Sequence, residues 1–119
     1  MFWSSTEFDP KRDLVDLRNR IAIVTGGNRG IGYATVQHLV RAGARVYMAA
    51  RDEKKAKAAI ETLQRQGLGP GNGQVHWLKL DLSDPRAAKA AAEEFTSQEK
   101  RLDILVNNAA VFVQPICLE

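Results

Sequence analysis

Cysteine is almost absent from this chain: Cys117 is the only one among 119 residues. No intramolecular disulfide can form, and a reducing, intracellular and cytoplasmic setting is the default expectation. Long apolar runs are missing too. Nothing approaches the roughly 20 residues that a membrane-spanning helix needs, and the opening MFWSSTEFDPKRDLVDLRNR has no apolar centre of the secretory-signal type. His38 and His76 have no partners at ligand spacing, so no metal site is expected. Runs of one charge sign are also absent. The net charge is +3, but cations alternate with acids, as in Arg51-Asp52-Glu53-Lys54-Lys55. Mixed runs of this kind make solvated helix faces rather than a track for phosphates, which argues against nucleic acid as a partner.

What is present is an alternation of short apolar runs with helical patterns. Ile21–Val24 is a buried-strand signal. Gly32, Val36, Leu39, Val40 and Gly43 then recur at helical spacing, with Gly43 suited to a helix end. Arg45–Ala50 reads as a second strand, and Ala56, Ile60 and Leu63 mark one face of a second helix ending near Gly67. The glycine-rich stretch from Gly67 to Gly73 reads as a flexible loop. Val75–Leu82 is a third strand. Ser83-Asp84-Pro85 offers a cap and an early-turn proline for an alanine-rich third helix running to about Gln98, and Leu102–Asn107 is a fourth strand.

The pattern predicts an α/β fold, a Rossmann-like parallel sheet in the order 3-2-1-4 with flanking helices, truncated after the fourth strand. The domain is expected over residues 13–111, after an N-terminal extension (1–12) and before an irregular tail (112–119). A parallel sheet wants both faces covered, and here one face has two helices and the other only one. The chain alone is therefore expected to be marginally stable, with the fourth strand open to self-association along its free edge.

Directly after the first strand comes Thr25-Gly26-Gly27-Asn28-Arg29-Gly30-Ile31-Gly32. A strand that ends in glycines and opens a helix suits a pyrophosphate: backbone can approach closely, and the helix N-terminus presents free N–H groups and a positive dipole end. The bland alternative is an ordinary strand-to-helix turn. In the order 3-2-1-4, these glycines, the end of the second strand, Asp81 and Asn107-Asn108 all reach the carboxyl ends of the strands, where open α/β sheets bind ligands.

Together these segments resemble the N-terminal half of the compact branch of the short-chain dehydrogenase/reductase family. The resemblance runs over three motifs in order: T-G-x-x-x-G-x-G from Thr25 to Gly32, Asp81-Leu82 after the third strand, and Asn107-Asn108-Ala109-Ala110 after the fourth. It implies that Gly26, Asn28, Arg29, Gly30, Ile31 and Gly32 line the pyrophosphate and adenosine ribose. It further implies that Asp81 bonds the adenine amino group, that Leu82 contacts the adenine ring, and that Asn108 and Ala109 line the cleft while Asn107 ties the fourth strand to its neighbours. Ala110 departs from the pattern, which usually ends in glycine. The structural alternatives are that Asp81 only caps a turn through Ser83 and that the asparagines only satisfy backbone groups.

Ala50 stands where an NAD-binding fold commonly places an acid to grip the ribose hydroxyls, and Arg51 follows it. Alanine does not repel a 2′-phosphate, and Arg51, with Arg29 opposite, can bond one. NADP is therefore favoured over NAD, the competing reading being that Asp52 grips the ribose. Asp52 is more naturally the start of the next helix. The family's chemistry also implies a serine and a Tyr-x-x-x-Lys pair. Tyr33 and Tyr47 are followed four residues later by Gln37 and Arg51, so no catalytic residue is assigned within this sequence. The function implied is hydride transfer between NADP(H) and a small-molecule carbonyl or alcohol, with this chain supplying the cofactor-binding half. The end of the second strand also resembles the retinol dehydrogenase and protochlorophyllide reductase-like group. Alternatives from other classes are a non-catalytic NADP-binding or dimerising module, and an unstable truncated product.

Overall fold

The computed structural model describes residues 15–109. Within that span, β1 (Ile21–Thr25), α1 (Gly30–Arg41), β2 (Arg45–Ala50), α2 (Glu53–Gln66), β3 (Gln74–Lys79), α3 (Pro85–Gln98) and β4 (Ile104–Val106) follow one another. The strands form one parallel sheet in the order β3-β2-β1-β4. This is the expected α/β arrangement. The expected extension, the tail, Ala110 and Cys117 lie outside the described residues.

Side-chain alternation along β2 explains how the sheet is buried. Val46, Met48 and Ala50 face α1 and α2, where they pack with Ala22, Val24, Val36, Val40, Ala56 and Leu63. Tyr47 and Ala49 face the other way and meet Leu78, Ala91 and Phe95 of β3 and α3. A strand buried on both faces has no polar alternation, which is why RVYMAA reads as a nearly continuous apolar run. Toward β4 the second cover ends: Ile104 and Val106 pack on the α1 side, while Leu105 is 53% exposed.

Two strands are shorter than their apolar runs suggest. β3 stops at Lys79 because β2 ends at Ala50, its last partner, leaving Asp81 and Leu82 free of the ladder. β4 keeps three residues because only Ala22, Ile23 and Val24 pair with it, and the carboxylate of Asp103 takes the Ile21 amide at 2.8 Å. The glycine-rich loop is also not the loose connection that its composition suggests. The Gly71 and Gly73 amides bond the carbonyls of Arg41 and Val40 at 2.7 and 2.9 Å, supplying partners for the end of α1. Side chains at either position would run into the backbone of residues 41–44.

At the amino ends of the strands, Glu99 closes α3 onto β2. Its Oε1 accepts from Arg45 Nη1 at 2.6 Å and from the Tyr47 hydroxyl at 2.7 Å, and Tyr47 stacks edge-on against Phe95. The Arg45 hydrogen bond holds the Glu99 carboxyl below its ordinary 4.5. Burial, with the carboxylate beside it, pushes the Tyr47 hydroxyl up to about 12. Glu99→Gln should lower the unfolding free energy by about 1–2 kcal/mol, the loss of a charge-assisted pair tempered by the partial exposure of Arg45. The wild-type advantage should be complete above pH 4.5 and vanish as pH falls through the depressed folded value. Tyr47 adds the opposite limb, its stabilisation fading as pH rises from 10 toward about 12. Urea melts of both proteins across pH check the two limbs; a constant difference between them at acid pH would contradict the role of Glu99.

Candidate functional site

At the opposite, carboxyl ends of the strands, the helix caps divide into two kinds. α2 and α3 begin on aspartates whose carboxylates accept from backbone amides: Asp52 from Lys55 N at 3.1 Å and Asp84 from Arg86 N at 2.9 Å. α1 begins on Arg29, with no side-chain cap and no acid in its first turn. The Tyr33 amide bonds the Arg29 carbonyl at 3.3 Å, so the amides of Gly30, Ile31 and Gly32 precede the intrahelical ladder. They form a positive helix end with no carboxylate capping it among the described residues, which suits an anion of phosphate size.

The glycines shape this end. Gly26 turns in the left-handed region (φ +64°), and a side chain there would crowd Ala109 Cα at 3.2 Å and Asn108 Nδ2 at 3.3 Å. Gly32 allows α1 to close onto the loop: a methyl group would strike the Gly26 carbonyl oxygen and come within 2.6 Å of Asn108 Nδ2. The obstacle is thus the loop itself and not, as the helical spacing suggests, the sheet. Gly30 (φ +60°) has nothing among the described residues within 4 Å of where its side chain would be, so among those residues the loop is open there. Gly27, by contrast, packs against Met48 and Val36 and belongs to the core.

Thr25, at the end of β1, makes the junction to β4. Its Oγ1 accepts from the amides of Asn108 and Ala109, both at 3.0 Å, and donates to the Val106 carbonyl at 3.3 Å. Asn108 Nδ2 reaches back to the Gly26 carbonyl at 3.4 Å. The tie expected of Asn107 is therefore made by Thr25, since Asn107 has no hydrogen bond among the described residues. Sequence reasoning used Thr25 only as a motif letter. A lone hydroxyl at a buried strand end was the signal that could have revealed its role.

The site residues expected from the sequence fall into two groups. Gly26, Gly32, Asn108 and Ala109 are in direct contact between the ends of β1 and β4. Half-buried Asn28 and exposed Arg29 and Ile31 sit on the loop beside them, Ile31 being 79% exposed. Arg51, Asp81 and Leu82 lie at the ends of β2 and β3. Asp81 Oδ1 accepts from the Ser83 amide at 3.0 Å and its hydroxyl at 2.6 Å, which is the turn-capping arrangement. Oδ2 has no partner among the described residues and can still accept another donor. The Ser83 bonds, aided by the charges of Arg51 and Lys79, hold Asp81 below its ordinary 3.8 and therefore ionised. Asp52 caps α2 through Oδ1, as its place at the start of that helix suggests. Arg29 and Arg51 form no ion pair among the described residues.

The Tyr33 hydroxyl donates to Gln66 Oε1 at 2.6 Å and the Tyr47 hydroxyl to Glu99. A hollow of about 830 Å³ lies at the amino ends of the strands, lined in part by Arg20, Arg45 and Arg101. The guanidinium groups of these three are engaged by Asp103 and Glu99. Among the described residues no group of three metal-ligating side chains occurs, and no helix is long and apolar enough to cross a membrane.

Comparison with known proteins matches the family model for short chain dehydrogenase over residues 20–117. A short-chain dehydrogenase/reductase of Armillaria gallica is 46% identical over 112 residues, spanning 94% of this chain and 34% of that protein. Retinol dehydrogenase 11 of Mus musculus is 45% identical over 101 residues, 85% of this chain and 31% of that one. Among solved structures, the Pseudomonas aeruginosa RhlG/NADP active-site complex superposes with a TM-score of 0.73 at 36% identity, covering 87% of this chain and 38% of that one. A metagenomic short-chain oxidoreductase in complex with NADP gives 0.71 at 37%, covering 82% and 42%. The chain thus spans about a third of the length of the curated relatives it matches.

Thr25→Val keeps the shape and removes the hydroxyl, leaving the Asn108 and Ala109 amides without their partner. It should cost about 1–3 kcal/mol of stability, whereas Thr25→Ser should cost much less. Thermal melts of the two variants separate a hydrogen-bonding role from a packing one.

Proposed function

The chain belongs to the short-chain dehydrogenase family, and on that premise we propose that it binds NADP(H) across the carboxyl ends of β1, β2, β3 and β4. In this reading it is the cofactor-binding part of an oxidoreductase that moves a hydride between the nicotinamide and a carbonyl or alcohol carbon. The observation that carries the proposal is the contrast in helix caps: two helices start on aspartates, and the one behind the glycine loop starts on Arg29 with its first amides uncapped among the described residues. Bound there, the cofactor would supply the hydride chemistry. The chain's own residues would do the holding.

The α1 amides, Gly30 among them, and Asn28 would receive the pyrophosphate, with Gly26 and Gly32 keeping the backbone near enough. Asp81, already ionised, would accept from the adenine amino group through Oδ2, with Leu82 against the ring. Asn108 and Ala109 would line the side of the crevice next to β4, and Ile31 would cover the loop side. Arg51 and Arg29 would bond the 2′-phosphate, which an acid in place of Ala50 would repel. The two neighbours solved with NADP, both more than one-third identical to this chain, support that preference. A cytoplasmic location is the reading that the single cysteine supports, and a small alcohol or carbonyl compound is the class of substrate. Exposed Leu105 on β4, an outer strand among the described residues, would support self-association. Sedimentation should then show dimers growing with concentration.

The test is a fluorescence titration of the chain with NADPH and NADH. NADPH should bind more tightly, and Arg51→Ala should weaken NADPH by about 10- to 100-fold, the worth of one charge-assisted hydrogen bond, with little effect on NADH. Ala50→Asp should reverse the preference. Tighter binding of NADH by the unaltered chain would overturn the choice of cofactor.

A further inference from the structure

We propose that Trp77 is a positioning residue for recognition of the cofactor's 2′-phosphate, acting through the Ala50 carbonyl on Arg51. The inference rests on the NADP(H) reading of the site and names a residue that none of the family-like motifs contains. Trp77 lies on the outer strand β3, partly buried against the core beneath α2. Its indole Nε1 donates to the Ala50 carbonyl at 3.1 Å. The same oxygen also accepts the Leu80 amide at 3.1 Å, the bond that continues the β2–β3 ladder. A carbonyl has two lone pairs, and here both are used. The peptide plane joining Ala50 to Arg51 is thereby held from two directions.

The other side of Arg51 is held as well. Asp52 caps α2 through its carboxylate, with the Lys55 amide at 3.1 Å. Arg51 is therefore a single residue between two anchors, and its own guanidinium forms no ion pair among the described residues. An arginine carries a large rotamer entropy, and fixing the direction of its Cα–Cβ bond reduces what binding must still order. Arg51 follows the end of β2 and Asp81 the end of the neighbouring β3, and the Arg51 charge adds a small part to the lowering of the Asp81 carboxyl that the Ser83 hydrogen bonds mainly cause. The anchored arginine thus faces the part of the crevice assigned to the adenosine. The indole packs against the core under α2 and also donates its N–H to the Ala50 carbonyl, a bond that a phenyl ring in its place could not make.

A double-mutant cycle on the full chain tests this, with NADPH and NADH as probes and melting temperatures recorded for every variant. Trp77→Phe retains the ring and loses the donor. The unaltered chain should prefer NADPH. Trp77→Phe should weaken NADPH about fivefold, as expected for one neutral hydrogen bond, and leave NADH within about twofold. In the Arg51→Ala background the same change should have no further effect, because its route has been removed. Equal weakening of both cofactors, or full additivity with Arg51→Ala, would overturn the role and leave Trp77 a packing residue. A preference lost in Arg51→Ala and untouched in a folded Trp77→Phe would overturn the Trp77 role alone. No preference for NADPH in the unaltered chain would overturn the cofactor reading and this inference with it.

Discussion

The approach of α1 to the end of β1 is the constraint on which the rest of the site depends. The Gly26 carbonyl, the first turn of α1 and the Asn108 amide share a space in which Gly32 has no room for a methyl group. That crowding decides the angle of the helix, and the angle decides where its uncapped amides point. Thr25 extends the constraint to β4 with three hydrogen bonds from one hydroxyl. A site made mainly of backbone groups has no flexible side chains to absorb an error in placement, so it needs rigid supports of this kind.

The two ends of the sheet divide the electrostatic work. At the amino ends, acids and guanidiniums satisfy one another: Glu99 with Arg45, and Asp103 with Arg20, Arg101 and the Ile21 amide. These contacts hold α3 against β2 and register β1 against β4. At the carboxyl ends the polar groups are left facing outward, with amides uncapped at α1 and cations unpaired at Arg29 and Arg51 among the described residues. Stability is concentrated where no ligand is expected, and binding capacity where internal pairing is sparse. Open parallel sheets place ligands at the same end because crossover helices start there and aim their positive termini at it.

Much of the fold was legible because its signals are local. Apolar runs bounded by glycine marked the strands, and Asp84-Pro85 marked the start of α3 before any contact was known. The 3-2-1-4 order followed from the strand-helix alternation read against the doubly wound arrangement. Where the reading failed, a partner distant in sequence was responsible. Leu80 and Leu82 continue the alternating apolar pattern of β3, but β2 runs out opposite Lys79. The loop from Gly67 to Gly73 has the composition of a flexible segment, yet its amides close the end of α1.

By itself, the sequence determined the element types, the glycine loop and the bare start of α1, because these depend on residues within a few positions of each other. It also determined the candidate cations, since Ala50-Arg51 can be read against a known fold position. Only the tertiary structure decided which groups are already spent. Asp52 is used by Lys55, one oxygen of Asp81 by Ser83, and Tyr47 by Glu99, whereas no side chain among the described residues caps the amides of α1. It alone placed Trp77 on the Ala50 carbonyl and Thr25 on the end of β4. Periodicity reports which face a residue occupies, but hydrogen bonds between residues 27 or 83 positions apart are fixed only when the sheet closes.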